Sequence, residues 1–272
     1  MSDAAAPRAR FRATIEYDGT SFHGSQLQPG VRTVQREVEE ALGKLFDQPV
    51  RIDLAGRTDA GVHATAQEIA FGGPPAWSAE ELARALGACL PDDIAVRKAR
   101  NAADDFHPRF DAEGRRYRYV IAEGGRRRPF LRDRAWIPRW PLDRDALARL
   151  AGAIPGERSF ERFARAGQPE RGTRCRVASA AWCFDPPPFV SFEIVADRFL
   201  HHMVRYLVGT SVEIAAGRRP SEDFERLLVG EAASRPVFPA PPGGLYLTGV
   251  RYGGEWNSGP GIPWLPAEGH RT

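Results

Sequence analysis

Cysteine is scarce in this chain: Cys89, Cys175 and Cys183 are all there are in 272 residues, an odd set without a CxxC pair. That argues against both a disulfide framework and a zinc knuckle. No apolar run approaches the roughly 18 residues that a membrane span needs, and the opening MSDAAAPRAR has no apolar segment of a secretory signal, so a cytoplasmic protein with no membrane partner is expected. A GxSxG elbow, a Walker loop, a GxGxxG turn after a strand and a catalytic-cysteine signature are also missing. Their absence removes the commonest hydrolase, nucleotide-binding and redox chemistries and leaves carboxylate chemistry, or binding alone.

What is present is a chain long enough for one large or two ordinary domains, 42% hydrophobic and 27% charged. A net charge of +3 says little by itself, but its distribution says more. Arg115, Arg116 and Arg118 form one basic cluster; Arg126, Arg127, Arg128, Arg132 and Arg134 form a second, interleaved with Phe130 and Trp136. Arginine for phosphates and aromatics for unpaired bases is the composition an RNA surface needs. A merely solvated, arginine-rich surface is the plainer alternative.

Periodicity predicts alternating strands and helices. Phe11, Ala13, Ile15 and Tyr17 alternate as one face of a strand; Val34, Val38, Leu42, Leu45 and Phe46 recur at helical spacing behind Thr33 as cap. Val50, Ile52 and Leu54 make a strand that runs into GRTDAGVHA, and Ser78 with Glu81 forms a capping box ahead of a second helix and a strand around Ile94 and Val96. The second half reads as a strand RRYRYVIA, a helix from about Leu142 to Ile154, and a hairpin RVASAAWCF and FVSFEIVA joined through Asp185 and three prolines. A longer helix with Leu200, Met203, Val204, Leu207, Val208 and Val212 comes next, then a short helix after Ser221 and a strand at Leu245, Leu247 and Val250. The expected fold is α+β, two similar halves, each an antiparallel sheet covered by helices, with a cleft between them. The expected divisions are 1–9 flexible, 10–110 and 111–252 as the two domains, and 253–272, rich in Gly and Pro, as a peripheral tail.

Two places gather polar chemistry. Gly56 to His63 puts Arg57, Asp59 and His63 in a glycine-punctuated loop at a strand end, where Asp59 is either a carboxylate presented to a ligand or simply the acceptor of an Asx turn. Arg198, His202 and Arg205 fall at i, i+4 and i+7, which would align them on one face of the long helix. His201 and His202 are adjacent and no HExxH accompanies them, so no metal site is expected.

The segments YDGTSFHGSQLQPG, GRTDAGVHA, RRYRYVI, SFERFARAG, FLHHMVRYLVGT and APPGGLYLTGV occur in the order and spacing of the TruA family of tRNA pseudouridine synthases, which the chain resembles from about residue 10 to 252. The resemblance implies two α+β halves around a basic RNA-binding cleft, a homodimer, and isomerisation of uridines 38, 39 and 40 in the anticodon stem-loop of tRNA without a cofactor. It places the catalytic aspartate on Asp59, its partner arginine on Arg205, the tyrosine that stacks on the target base on Tyr117, and the residue that holds the flipped base out on Arg57. It places Leu245 on an apolar wall of the pocket; His202, from the polar stripe with Arg198 and Arg205, is expected as a substrate contact. Tyr119 stands on the same strand face as Tyr117, so the residues alone allow either to be core filler. Ser25 and Tyr206 depart from the family pattern, which usually has tryptophan and asparagine there. The rival readings are an RNA binder without catalysis and a carboxylate glycosidase, the latter lacking a second acid near the motif.

Overall fold

The computed structural model describes residues 9–165, 172–184 and 186–265; Asp185 and the end of the SFERFARAG segment lie outside them. The described chain carries ten strands and five helices in two compact units. One unit runs through Glu113 and takes back Thr248–Gly259; the other is Gly114–Leu247 with the residues from Pro260 on.

In the first unit β1 (Ala9–Tyr17) lies between β3 (His63–Gly73) and β4 (Ile94–Asn101), antiparallel to both, and β2 (Ile52–Leu54) pairs with β3. The alternating apolar residues of β1 are all buried, and Phe11 stacks on its cross-strand partner Phe71 with ring centres 6.1 Å apart. Each such large side chain removed from water contributes roughly 1.5–3 kcal/mol, and together they fix the face toward the helices. Helix α1 (Val34–Phe46) starts where Thr33 Oγ1 accepts the Arg36 N–H at 3.3 Å, and it buries Val34, Val38, Ala41 and Leu42. Helix α2 (Ala79–Cys89) opens with the full capping box: Ser78 Oγ accepts from Glu81 N, and the Glu81 carboxylate accepts from Ser78 N.

The opposite side of this sheet carries charge. Glu68 on β3 is fully buried, takes a hydrogen bond from Thr14 at 2.9 Å and one from the Asn257 amide, and has Arg12 and Arg100 each 3.6 Å away. Burial raises its carboxyl above the ordinary range, opposed by Arg100, Thr14 and Arg12. Asn257 reaches Glu68 from β10 (Glu255–Ser258), which pairs antiparallel with β9 (Leu245–Tyr252). Within the expected peripheral tail, residues 253–258 are therefore part of this sheet. Gly253 and Gly254, with φ 56° and 81°, form a two-residue turn between paired Tyr252 and Glu255.

In the second unit the order is β5 (Gly114–Ala122), β8 (Phe189–Ala196), β7 (Arg174–Cys183) and β6 (Gly156–Ser159), every neighbour antiparallel. The expected hairpin is β7 with β8; β6, only four residues long, is too short for periodicity to show. Helices α3 (Arg144–Gly152), α4 (Met203–Ala215) and α5 (Glu222–Leu228) complete it, α3 capped by Asp143 on the Ala146 N–H. Val120, Ala122, Ala135 and Tyr246 pack with Ile262 and Leu265, so these two residues belong to this core as well. Arg219, whose side chain is fully buried, ties the unit together: it bonds the carboxylates of Glu213 and Asp223 at 2.7 Å each and the carbonyls of Arg235 and Pro236 at 3.2 and 2.7 Å. Asp223 in turn accepts the N–H and the hydroxyl of Ser234, so the segment 234–236 is fixed by buried charge.

Candidate active site

The loop between β2 and β3 is held from three sides. Gln67, fully buried on β3, donates to Gly56 O at 2.7 Å and accepts from Gly56 N at 3.2 Å. Tyr17 on β1 shares a hydrogen bond with Thr58 Oγ1 at 2.8 Å, and burial pushes its phenol up to about 12, so it stays protonated. Ser25, also fully buried, closes the third side: its Oγ accepts the Thr58 N–H at 2.9 Å and its own N–H donates to Thr58 O at 3.0 Å. Beside it Gly24 takes φ 97°, and a Cβ there would sit 2.8 Å from Thr58 O.

Asp59 comes directly after Thr58 in this clamped loop, half-buried, and its carbonyl accepts the Val62 N–H at 3.1 Å to close the turn. The backbone on both sides of the carboxylate is thus set by buried partners, the condition for aiming a charged side chain. Arg57, two residues earlier, is exposed. His63 is buried at the start of β3, where Nδ1 accepts the Gly19 N–H at 3.0 Å, which assigns it to holding the neighbouring turn.

Ser25 shows in the sequence only as a departure. The geometry makes it a support of the Asp59 loop, and Ser25→Ala leaves the Thr58 N–H buried with no acceptor. The expected loss is about 1–3 kcal/mol of stability, read as a lower urea midpoint at unchanged slope. An unchanged midpoint would remove Ser25 from the loop's support.

In the second unit Tyr117 lies on β5, buried, with its ring edge-on to Phe199 at 4.9 Å. Tyr119 is the deeper core residue of the two: no part is exposed, its hydroxyl donates to Pro241 O at 2.8 Å, and Gly244 packs directly on its ring. Leu245 is buried at the start of β9. Arg205 sits in the first turn of α4, where Nε donates to Ala240 O at 2.8 Å while its carbonyl accepts the Ala240 N–H at 2.9 Å.

Two expectations need correction here. Arg198, His202 and Arg205 do not share a helix face, because α4 begins only at Met203: His202 takes a left-handed φ of 65° and its carbonyl starts the helix on the Tyr206 N–H. The ring centres of His201 and His202 are 4.0 Å apart, with the planes tilted by 52°. Nor is the first basic cluster a solvated surface. Arg115 and Arg118 are buried, donating to Asp197 O and Ser191 Oγ, and Arg116 faces Glu193 at 4.0 Å. The second cluster is the exposed one.

The model of a family described as tRNA pseudouridine synthase matches residues 13–111 and 150–253. A tRNA pseudouridine synthase A of Geobacter sulfurreducens is 40% identical over 88% of this chain and 97% of its own length. Those of Neisseria gonorrhoeae and Dictyoglomus turgidum are each 38% identical, over 96% and 89% of this chain and 99% of their own lengths.

Proposed function

Since the chain belongs to the tRNA pseudouridine synthase family and is an isomerase of uridine in tRNA, we propose that its targets are uridines 38, 39 and 40 of the anticodon stem-loop and that Asp59 is the catalytic carboxylate. The observation that carries the second part is the loop around Asp59, fixed through Gln67, Tyr17 and Ser25. The reaction breaks the N1 to C1′ bond of the nucleoside, turns the base and rejoins it through C5. No external group is transferred and nothing is oxidised, so no cofactor or metal is needed.

An ionised carboxylate serves each of the three available routes: addition to the base, attack on C1′, or abstraction of a sugar proton toward a glycal. Arg205 is the proposed counter-charge that favours the ionised form and directs it. Its hydrogen bond to Ala240 O fixes where the guanidinium is held. A uridine in a stem must first be extruded, at a few kcal/mol. In the proposal Tyr117 stacks on the extruded base, Leu245 supplies an apolar wall, Arg57 occupies the vacated place, and His202 contacts the substrate. The protein acts as a homodimer in the cytoplasm.

Incubation with an unmodified tRNA carrying uridines at 38 to 40, followed by chemical mapping, is expected to show pseudouridine at those positions. Pseudouridine elsewhere in the molecule, with those three untouched, would overturn the assignment.

A further inference from the structure

The connection from β5 to α3 presents a phenyl ring to solvent. Phe130 is 91% exposed, on a single 3-10 turn from Pro129 to Leu131. The turn is not loose. Leu131 packs against the buried cluster of Val120, Ala122, Ala135 and Tyr246. The backbone is tied by Leu131 N to Arg128 O and Ala135 N to Leu131 O, both at 2.9 Å, then by Trp136 N to Val120 O at 3.0 Å. With Leu131 anchored inward, its neighbour Phe130 is held outward. An exposed phenyl forgoes the stabilisation that burial would give it, so its presentation on a fixed turn calls for a partner.

The surroundings identify that partner's chemistry. Arg126, Arg127 and Arg128 are exposed and make no ion pair among the described residues; Arg132 is exposed and bonds its neighbour Asp133 at 2.7 Å. One aromatic ring amid unneutralised guanidinium groups does not suit an apolar protein face, whose centre excludes charge. It suits a nucleic-acid strand, where a ring stacks on any base and arginines neutralise the phosphates on either side.

We propose that the loop 124–134 is an RNA-contact surface in addition to the residues assigned to catalysis, with Phe130 stacking on an unpaired base of the tRNA and Arg126, Arg127 and Arg128 meeting flanking phosphates. The proposal rests on tRNA being the substrate. The test is equilibrium binding of unmodified tRNA to the full chain over a range of salt concentrations, with pseudouridine formation at saturating RNA measured on the same samples.

Phe130→Ala is expected to weaken binding about 5- to 150-fold, the range for one lost base stack, with the salt dependence unchanged and Phe130→Trp restoring affinity. The triple change of Arg126, Arg127 and Arg128 to Gln is expected to reduce the slope of log K against log salt by about 2, at roughly 0.7 per phosphate contact. All four side chains are exposed, so the thermal midpoint should not move. Binding of Phe130→Ala within twofold of wild type overturns the stacking contact and with it the proposal. An unchanged slope in the triple variant overturns the phosphate contacts. Wild type that modifies the RNA while Phe130→Ala binds normally removes the loop and leaves the catalytic reading standing. Lost affinity in Phe130→Ala with no pseudouridine made by wild type does the reverse.

Discussion

Asp59→Asn is expected to lower pseudouridine formation by at least about 10³-fold while leaving tRNA affinity and thermal midpoint near wild type, since a positioned acid–base or nucleophilic group is worth that much or more. The substitution replaces one oxygen by an amide of the same shape, so the turn closed by Asp59 O and Val62 N is kept. Gln67, Tyr17 and Ser25 still hold the loop, because their bonds to it go to Gly56 and Thr58. What is lost is the negative charge and the lone pair needed at the reacting centre. Single-turnover assays with excess enzyme separate this from a binding defect. Activity of Asp59→Asn within tenfold of wild type would take the catalytic role away from this residue.

The second large effect is on stability. Arg219→Met is expected to destabilise the protein by about 3–5 kcal/mol, the scale of removing one partner from a buried ion pair, measured by urea unfolding. Methionine fills much of the volume but leaves the Asp223 carboxylate, 2% exposed, without its cation, and strips the carbonyls of Arg235 and Pro236 of their donor. Most of that loss is the orphaned charge, so adding Asp223→Asn to Arg219→Met should recover part of it. A double variant no more stable than the single would mean that packing of the arginine stem dominates.

The same group sets a pH dependence. Burial acts to raise the Asp223 carboxyl, but the Ser234 and Arg219 hydrogen bonds outweigh it and hold the folded value below the ordinary carboxylate range. Its stabilisation is therefore complete above the unfolded value near ~4 and is lost as pH falls through the lower folded value. In Arg219→Met one of the contributions that lowers the folded value is gone, and acidification should then take away less. The segment held by Asp223 continues to Ala240, which grips Arg205, so the same variant is also expected to lose activity in molecules that remain folded.

Much of the first unit is readable from local pattern because its signals are short-range. The β1 alternation, the Thr33 cap and the Ser78–Glu81 box each lie within a dozen residues, and the structure has all three as expected. Periodicity misplaces the start of α4 for a physical reason: Leu200, Met203, Val204 and Leu207 fit a helical period, but nothing in that period reveals that His202 adopts a left-handed backbone. Burial of Arg115 and Arg118 is equally hidden. Their partners, Asp197 O and Ser191 Oγ, stand on or beside β8, and only strand pairing brings those positions together. The β9–β10 hairpin, by contrast, does carry a readable signal in its Gly253–Gly254 turn, outweighed by the Gly and Pro content of the residues beyond it. Ser25 is legible only as half of a pair with Thr58, thirty-three positions away.

The return of Thr248–Gly259 to the first unit has a bearing on how the protein is made. Synthesis delivers β1, β3 and Glu68 early, yet the Asn257 amide that bonds that buried carboxylate is encoded after the whole of Gly114–Leu247. At about 5–20 residues per second, the nascent first unit waits roughly 7–29 seconds with an unfinished polar interior. The second unit waits too, for Ile262 and Leu265. A chain that stalls before Asn257 can complete neither, so both interiors close only once the stretch from Asn257 to Leu265 has been synthesised.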